Sequence, residues 1–218
     1  MSDVPRSEQF DDVYFSAQDG LAETRHVFLQ SNGLPDTWEG REDFTICETG
    51  FGTGLNFLAA LKLWRDSAVE SRPRELHFIS FEKYPLARED IARYLACWGE
   101  LSVELEALLA VYLVEGGSFE VMEGVTLTLI IGDVNEEMPK LDVSVDCWFL
   151  DGFKPSSNPD MWSETVFENM ARLSAEGAHM ATFTVAGFVR RGLVAVGFDV
   201  KKVAGFGRKR EMVVGVYE

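Results

Sequence analysis

The chain has 218 residues, 46% of them hydrophobic and 12% aromatic, and a formal net charge of −16. That length and apolar share fit one sizeable α/β domain and exclude a disordered or low-complexity class. No apolar run approaches the ~20 residues of a membrane span and the polar N-terminus lacks a signal segment, so a cytoplasmic protein without membrane contact is expected. Cys47, Cys97 and Cys147 are odd in number and widely spaced, and His26, His77 and His179 are scattered. They predict reduced cysteines and no metal site.

In chain order, residues 3–38 precede the first strong strand and read as a small cap over the ligand face. The expected division is therefore a cap, 1–40, and a main domain, 41–218. Residues 44–54 read Phe-Thr-Ile-Cys-Glu-Thr-Gly-Phe-Gly-Thr-Gly, a short apolar run, an acid, then glycines at alternate positions. The run has the length of a buried strand, and the helix formers over 55–64 predict a helix opened by the glycine turn. Such a strand–turn–helix unit binds nucleotide-like ligands at the helix N-terminus. Glu48, just before Gly50, Gly52 and Gly54, would repel a pyrophosphate but suits a cation, such as the amino group or sulfonium of S-adenosylmethionine.

Strands are then predicted over 76–82, 125–133, 145–151 and 179–184, with helices over 85–97, 100–114, 161–173 and 186–196. Gly197 is the expected stop of the last helix. Residues 198–204 and 211–217 form two further strands joined by Gly-Phe-Gly-Arg-Lys. Alternating strands and helices imply an α/β fold with a mostly parallel sheet. The terminal hairpin adds an antiparallel C-terminal strand, giving the seven-stranded, Rossmann-like class I methyltransferase plan.

The first four core strands end in acids: Glu48, Glu82, Asp133 and Asp151. Any one of them could be a helix cap, but four together ring one crevice at the carboxyl ends of the strands. Glu82 is placed to accept ribose hydroxyls, Asp133 the adenine amino group, and Asp151 lies across the switch point beside the methyl donor. Phe51, Leu55, Asn56 and Lys83, flanking these positions, complete the candidate cofactor contacts. The block Asp151-Gly152-Phe153-Lys154-Pro155 is similar in chemistry to the Asp/Asn-Pro-Pro-aromatic loops of amine methyltransferases. In those loops an aromatic ring packs on the target base, the role expected of Phe153, although a core role suits it equally. Tyr14 and Phe15 either close over the cofactor or merely pack the cap.

The window 188–210 holds seven basic residues (Arg190, Arg191, Lys201, Lys202, Arg208, Lys209, Arg210) against one acid, Asp199. It is therefore +6, which leaves −22 for the rest of the chain. One reading is a solvated helix face plus a charge-protected edge hairpin. The other is a phosphate-contacting strip on a repelling body, with Arg190, Arg191, Arg208, Lys209 and Arg210 as candidate phosphate contacts.

Longer strings carry a family resemblance: Asp12-Val13-Tyr14-Phe15-Ser16, Glu23-Thr24-Arg25, residues 48–58, Phe78-Ile79-Ser80-Phe81-Glu82-Lys83, Trp148-Phe149-Leu150-Asp151-Gly152-Phe153, Asn158-Pro159-Asp160-Met161-Trp162 and residues 205–212. In these the chain resembles the methyltransferase half of the bacterial bifunctional tRNA-modifying enzyme MnmC, also found as a stand-alone form. The resemblance implies methyl transfer from S-adenosylmethionine to the exocyclic amine of 5-aminomethyl-2-thiouridine at the tRNA wobble position. Because the amine must attack uncharged and a nearby carboxylate favours its charged form, Asp151 is expected as the catalytic residue chiefly by orienting the amine and accepting its hydrogen bond, with proton acceptance secondary. In the longer form a flavin-dependent oxidase domain follows. No second glycine fingerprint stands in these 218 residues, so no flavin is expected here. Rival readings are an aminopropyltransferase of the spermidine-synthase type and a non-catalytic tRNA-binding module.

Overall fold

The computed structural model describes residues 6–7, 12–15, 19–207 and 209–218. Two short strands, β1 (Arg6–Ser7) and β2 (Asp12–Val13), pair antiparallel ahead of α1 (Gly20–Thr24). The central sheet is built from β3 (Asp43–Glu48), β4 (Glu75–Glu82), β5 (Gly117–Met122), β6 (Val125–Ile131), β7 (Val145–Phe149), β8 (Ser174–Thr182), β9 (Phe198–Ala204) and β10 (Glu211–Tyr217). Between them run α2 (Leu55–Asp66), α3 (Arg88–Leu95), α4 (Ser102–Val111), α5 (Val134–Glu137), α6 (Glu164–Leu173) and α7 (Gly187–Ala195).

The strand order is β5-β6-β4-β3-β7-β8-β10-β9. The run from β6 to β8 is parallel, and β10 is antiparallel to both of its neighbours. The expected seven strands with an antiparallel C-terminal member are present. An eighth, β5, adds to the edge through an antiparallel hairpin with β6. Its signal was available in the alternation of Phe119 and Val121 ahead of Glu123-Gly124, where Gly124 turns with φ +80°. Two strands stop short of their predicted acids: β6 ends at Ile131 and β7 at Phe149, which puts Asp133 and Asp151 in the following turns.

Side chains of a strand alternate between faces, so neighbouring residues feed different cores. Ile46, Phe78 and Phe149 pack with α2 residues Phe57, Leu58 and Leu61 on one face. Cys47, Ile79 and Trp148 pack with Phe167, Met170, Val189 and Leu193 of α6 and α7 on the other. Burying both faces explains why β3, β4 and β7 are nearly continuous apolar runs. Cys47 and Cys147 are buried, Cys97 is exposed, and all three are free.

The N-terminal segment does more than roof the ligand face. Leu21, Val27, Phe28, Leu29, Leu34 and Trp38 belong to the same core as β3 and α2, with the Phe28 and Phe149 rings 5.3 Å apart. Among the described residues of this segment, 13–15 and Thr24 reach the main cleft.

Candidate active site

From β3 the chain steps to β4 and β6 on one side, and β7 and β8 lie on the other. The switch point is thus at the carboxyl ends of β3 and β7, where open α/β sheets bind ligands. A cleft of about 1120 Å³ opens there, counted to its solvent mouth.

The turn over 49–54 is stitched to both neighbouring strands. Thr49 Oγ1 donates to the Asp151 carbonyl at 2.6 Å, and the Phe51 N–H donates to the Phe81 carbonyl at 2.8 Å. A Cβ on Gly50 would stand 3.2 Å from the Asp151 carbonyl oxygen, so glycine eases the close approach of the loop after β7. Gly52 has φ +54°, and its Cβ would stand 3.2 Å from the Tyr14 ring. Forcing alanine into that left-handed conformation costs about 1–2 kcal/mol. Gly52→Ala is therefore expected to lower the melting temperature by about 2–8 °C in a chain of this size, measured by calorimetry. Gly54, the residue before α2, does not line the cleft, whereas Phe51 and Leu55 are in its wall.

Glu82, the last residue of β4, accepts the Gly52 N–H at 2.8 Å and the Tyr84 N–H at 2.7 Å. Burial pushes its carboxyl above the ordinary range, and the N–H donors pull against it. Asp133 caps α5 by accepting the Asn135 N–H at 2.9 Å, and it also pairs with Lys83 at 2.6 Å. Burial alone would raise its carboxyl, but Lys83 and Asn135 outweigh it and hold the group below its usual value. Asp133 thus acts as a cap and ion-pair partner while still facing the cleft.

Asp151 lies in the wall of this cleft and also in that of a second hollow. Its Oδ1 accepts the Gly152 N–H at 2.8 Å and its Oδ2 accepts Asn56 Nδ2 at 2.6 Å. Burial pushes its carboxyl up to about 6, opposed by these donors and by Lys209. Tyr14 and Phe153 meet edge to face at 5.4 Å and wall both hollows. The second hollow continues past Asp151 to Lys154, Phe183 and Lys209.

One expectation is corrected. Glu48 is 0% exposed and does not line the cleft, so direct contact with a bound cation is closed to it. Asn56 stands between, donating to Glu48 Oε1 at 2.7 Å, while Ser80 Oγ donates to Oε2 at 2.7 Å. Burial, then the nearby Asp151 charge, push the Glu48 carboxyl well above its ordinary range. The folded state therefore holds a proton that the unfolded chain releases, and this group's contribution to stability falls as pH rises above the ordinary carboxyl range. Glu48→Gln, whose amide can accept from Asn56 and donate to Ser80, is expected to melt at or above the wild-type temperature at alkaline pH. Its melting temperature should also vary less with pH, as read by thermal scans across that range.

The basic strip does not converge on the cleft as a unit. Lys209 alone of its described residues enters a hollow, paired with Glu23 at 2.8 Å and 4.6 Å over the Phe183 ring. Arg191 and Arg210 are exposed and line neither hollow. Arg190 is half-buried, its Nε enclosed without a hydrogen-bond partner. Lys201 and Lys202 are exposed on the edge strand β9, where charge blocks strand addition. Arg208 lies outside the described residues. Sequence reasoning gave no role to Thr24 or Ser80. The available signal for Ser80 was a hydroxyl in the middle of an apolar strand, which needs a buried partner.

A family model described as S-adenosyl-L-methionine-dependent methyltransferase matches residues 100–218. The chain is 54% identical over 217 residues to the tRNA 5-methylaminomethyl-2-thiouridine biosynthesis bifunctional protein MnmC of Methylobacillus flagellatus. That match covers 97% of this chain and 33% of the relative, so the chain spans about a third of such relatives. The crystal structure of MNMC2 from Aquifex aeolicus superposes with a TM-score of 0.77 at 24% identity, covering 96% of this chain and 65% of that one. Spermidine synthase from Thermotoga maritima gives 0.56 at 12% identity, over 94% of this chain and 61% of that one. Both likenesses show the fold alone, a Rossmann-like class I methyltransferase architecture. With the family match spanning more than half its residues, the chain belongs to the S-adenosyl-L-methionine-dependent methyltransferases.

Proposed function

We propose that the chain methylates the exocyclic amine of 5-aminomethyl-2-thiouridine at the tRNA wobble position, giving the 5-methylaminomethyl form. The observation that carries this reading is the placement of Asp151 in the shared wall of two hollows. One hollow suits the cofactor and the other an amine-bearing base. The relatives named for biosynthesis of this nucleoside supply the substrate.

The cofactor fits the residues present. Carboxylates of Glu82, Asp133 and Asp151 and the apolar walls of Tyr14, Phe51, Leu55 and Phe81 suit a cation carrying ribose and adenine. Bound there, S-adenosylmethionine supplies an electrophilic methyl group. Glu82, whose oxygens accept the Gly52 and Tyr84 N–H groups with that of Lys83 beside them, keeps acceptor capacity for the ribose hydroxyls. Asp133 and Lys83 together offer an acceptor for the adenine amino group with little net charge. Gly50 and Gly52 let a ligand lie against the main chain.

On the other side, Phe153 and Phe183 wall the hollow for a base, and Lys154 and Lys209 offer positive charge for its phosphates. Asp151 orients the amine by accepting its hydrogen bond and would take its proton as the nitrogen gains the methyl, the sulfonium S–CH3 bond breaking to leave the neutral thioether. In this reading residues 41–218 are the methyltransferase domain and 1–40 its cap, which contributes Tyr14. The amine itself would come from a flavin-dependent oxidase step outside these 218 residues. A tRNA substrate places the reaction in the cytoplasm. Among the described residues no helix is long and apolar enough to cross a membrane.

The deciding experiment incubates tRNA carrying the aminomethyl nucleoside with methyl-labelled S-adenosylmethionine and analyses the nucleosides by mass spectrometry. Label confined to the methylaminomethyl product is the expected result. Label elsewhere, or aminopropyl transfer to putrescine from the decarboxylated donor, overturns the reading.

A further inference from the structure

Asn56 sits in the first turn of α2 and is 6% exposed. Its Nδ2 lies 2.6 Å from Asp151 Oδ2 and 2.7 Å from Glu48 Oε1. An amide nitrogen carries two hydrogens, so each serves a different carboxyl and the donor is saturated. Its oxygen accepts from Thr24 Oγ1 at 2.8 Å. A reversed amide would set that oxygen against both carboxyls, so this orientation is the one that satisfies ionised Asp151. Ser80 closes the far end on Glu48. The contacts thus run from β4 through β3 and α2 to the loop after β7, with α1 locking the middle member.

We propose that Asn56 is a positioning residue for the methyl transfer, aiming the Asp151 carboxylate at the acceptor hollow, with Thr24 fixing the amide. This rests on the methyl-transfer reading above. The Gly152 N–H and Asn56 take one oxygen of Asp151 each, which fixes the plane of the carboxylate. A lone pair remains on each oxygen for a substrate N–H. Asn56 also separates two carboxyls that would otherwise face each other across an emptied space. Glu48, wholly buried, has no route to the substrate except through this contact.

The titratable groups facing Asp151 are Glu48 from β3, which holds its proton, Glu23 from α1 and Lys209 from the turn after β9. Burial raises the Asp151 carboxyl most, and the Asn56 hydrogen bond is among the contacts that lower it. Removing that bond moves its ionisation to higher pH. Activity that needs ionised Asp151 is lost as pH falls, so the acid limb of kcat shifts toward neutrality.

The test pairs steady-state kinetics with carboxyl NMR titration of the unliganded protein, for wild type, Asn56→Ala, Thr24→Val and Thr24→Ser. For Asn56→Ala, kcat is expected to fall about tenfold or more, a fraction of what loss of the general base itself costs. The KM for S-adenosylmethionine should change little, and both the Asp151 titration and the acid limb should move to higher pH. Thr24→Val should move them the same way by less, and Thr24→Ser should restore both. A large rise in cofactor KM with kcat and the titration unmoved makes Asn56 a cofactor ligand and overturns the proposal. If Asn56→Ala fails to fold, identical titrations for Thr24→Val and wild type overturn it instead. If wild type methylates no aminomethyl nucleoside, the substrate reading fails, while the titrations still judge Asn56.

Discussion

Asp151→Ala is expected to lower kcat for methylation by about 10²–10⁴-fold, the usual worth of a positioned proton acceptor. Affinity for S-adenosylmethionine should stay within about threefold, below ~0.7 kcal/mol, because the other cleft contacts survive. Calorimetry with the cofactor and single-turnover methylation measure the two quantities separately. Normal turnover in the variant removes Asp151 from the mechanism. Alanine is a cleaner replacement than asparagine here. Both Asp151 oxygens accept N–H groups, so an asparagine would turn its own N–H₂ against one of them.

The chemistry explains why this carboxylate is placed in a buried wall. A free alkylammonium holds its proton at neutral pH, and an adjacent carboxylate alone favours that unreactive form. An acid lifted to about 6 by burial is still ionised at neutral pH, yet it is a better proton acceptor than an exposed aspartate. The positive charge of the cofactor works in the same direction by opposing a second cation beside it. It follows that kcat should fall about tenfold per pH unit below about 6, as Asp151 protonates and its acceptor lone pair is lost. A pH–rate profile of the chemical step checks this.

The sheet was legible because β3, β4 and β7 are buried on both faces, and the glycine turn because a side chain at position 50 or 52 would be crowded. The strand-end acids located the crevice, but strand position alone does not distinguish a residue that faces a ligand from one a layer below. Glu82 and Asp151 line the cleft, whereas Glu48, the acid that prompted the cofactor reading, lies behind Asn56. That difference is set by the path of α2 and by a threonine in α1 that is 32 residues away in sequence. Such long-range hydrogen bonds leave no periodic trace. The role of β9 was also ambiguous, because lysines that protect an edge strand and lysines that bind phosphate read alike in composition. Only the pairing order shows that Lys201 and Lys202 lie along the outermost strand.

Replacing Arg191 and Arg210 together with alanine is expected to weaken tRNA binding about tenfold or more at low salt and leave cofactor affinity intact. The topology supplies the reason. β9 runs parallel to β8, so Gly205 and Arg210, bonded to each other beyond its end, lie at the same sheet edge as the cleft. The first turns of α7 follow β8 at that edge too, which brings Arg191 and Arg210 to the rim while the body carries the acid excess. Each phosphate contact contributes about 0.7–0.9 to the slope of log affinity against log salt, so the double variant should lose about 1.4–1.8 of slope. Wild type and variant should then converge as salt rises, since screening erases what the arginines add. Lys209 is left intact in this test because its charge acts on Asp151. An unchanged slope would assign these arginines to solvent and leave Lys209 and Lys154 as the cations that meet the substrate.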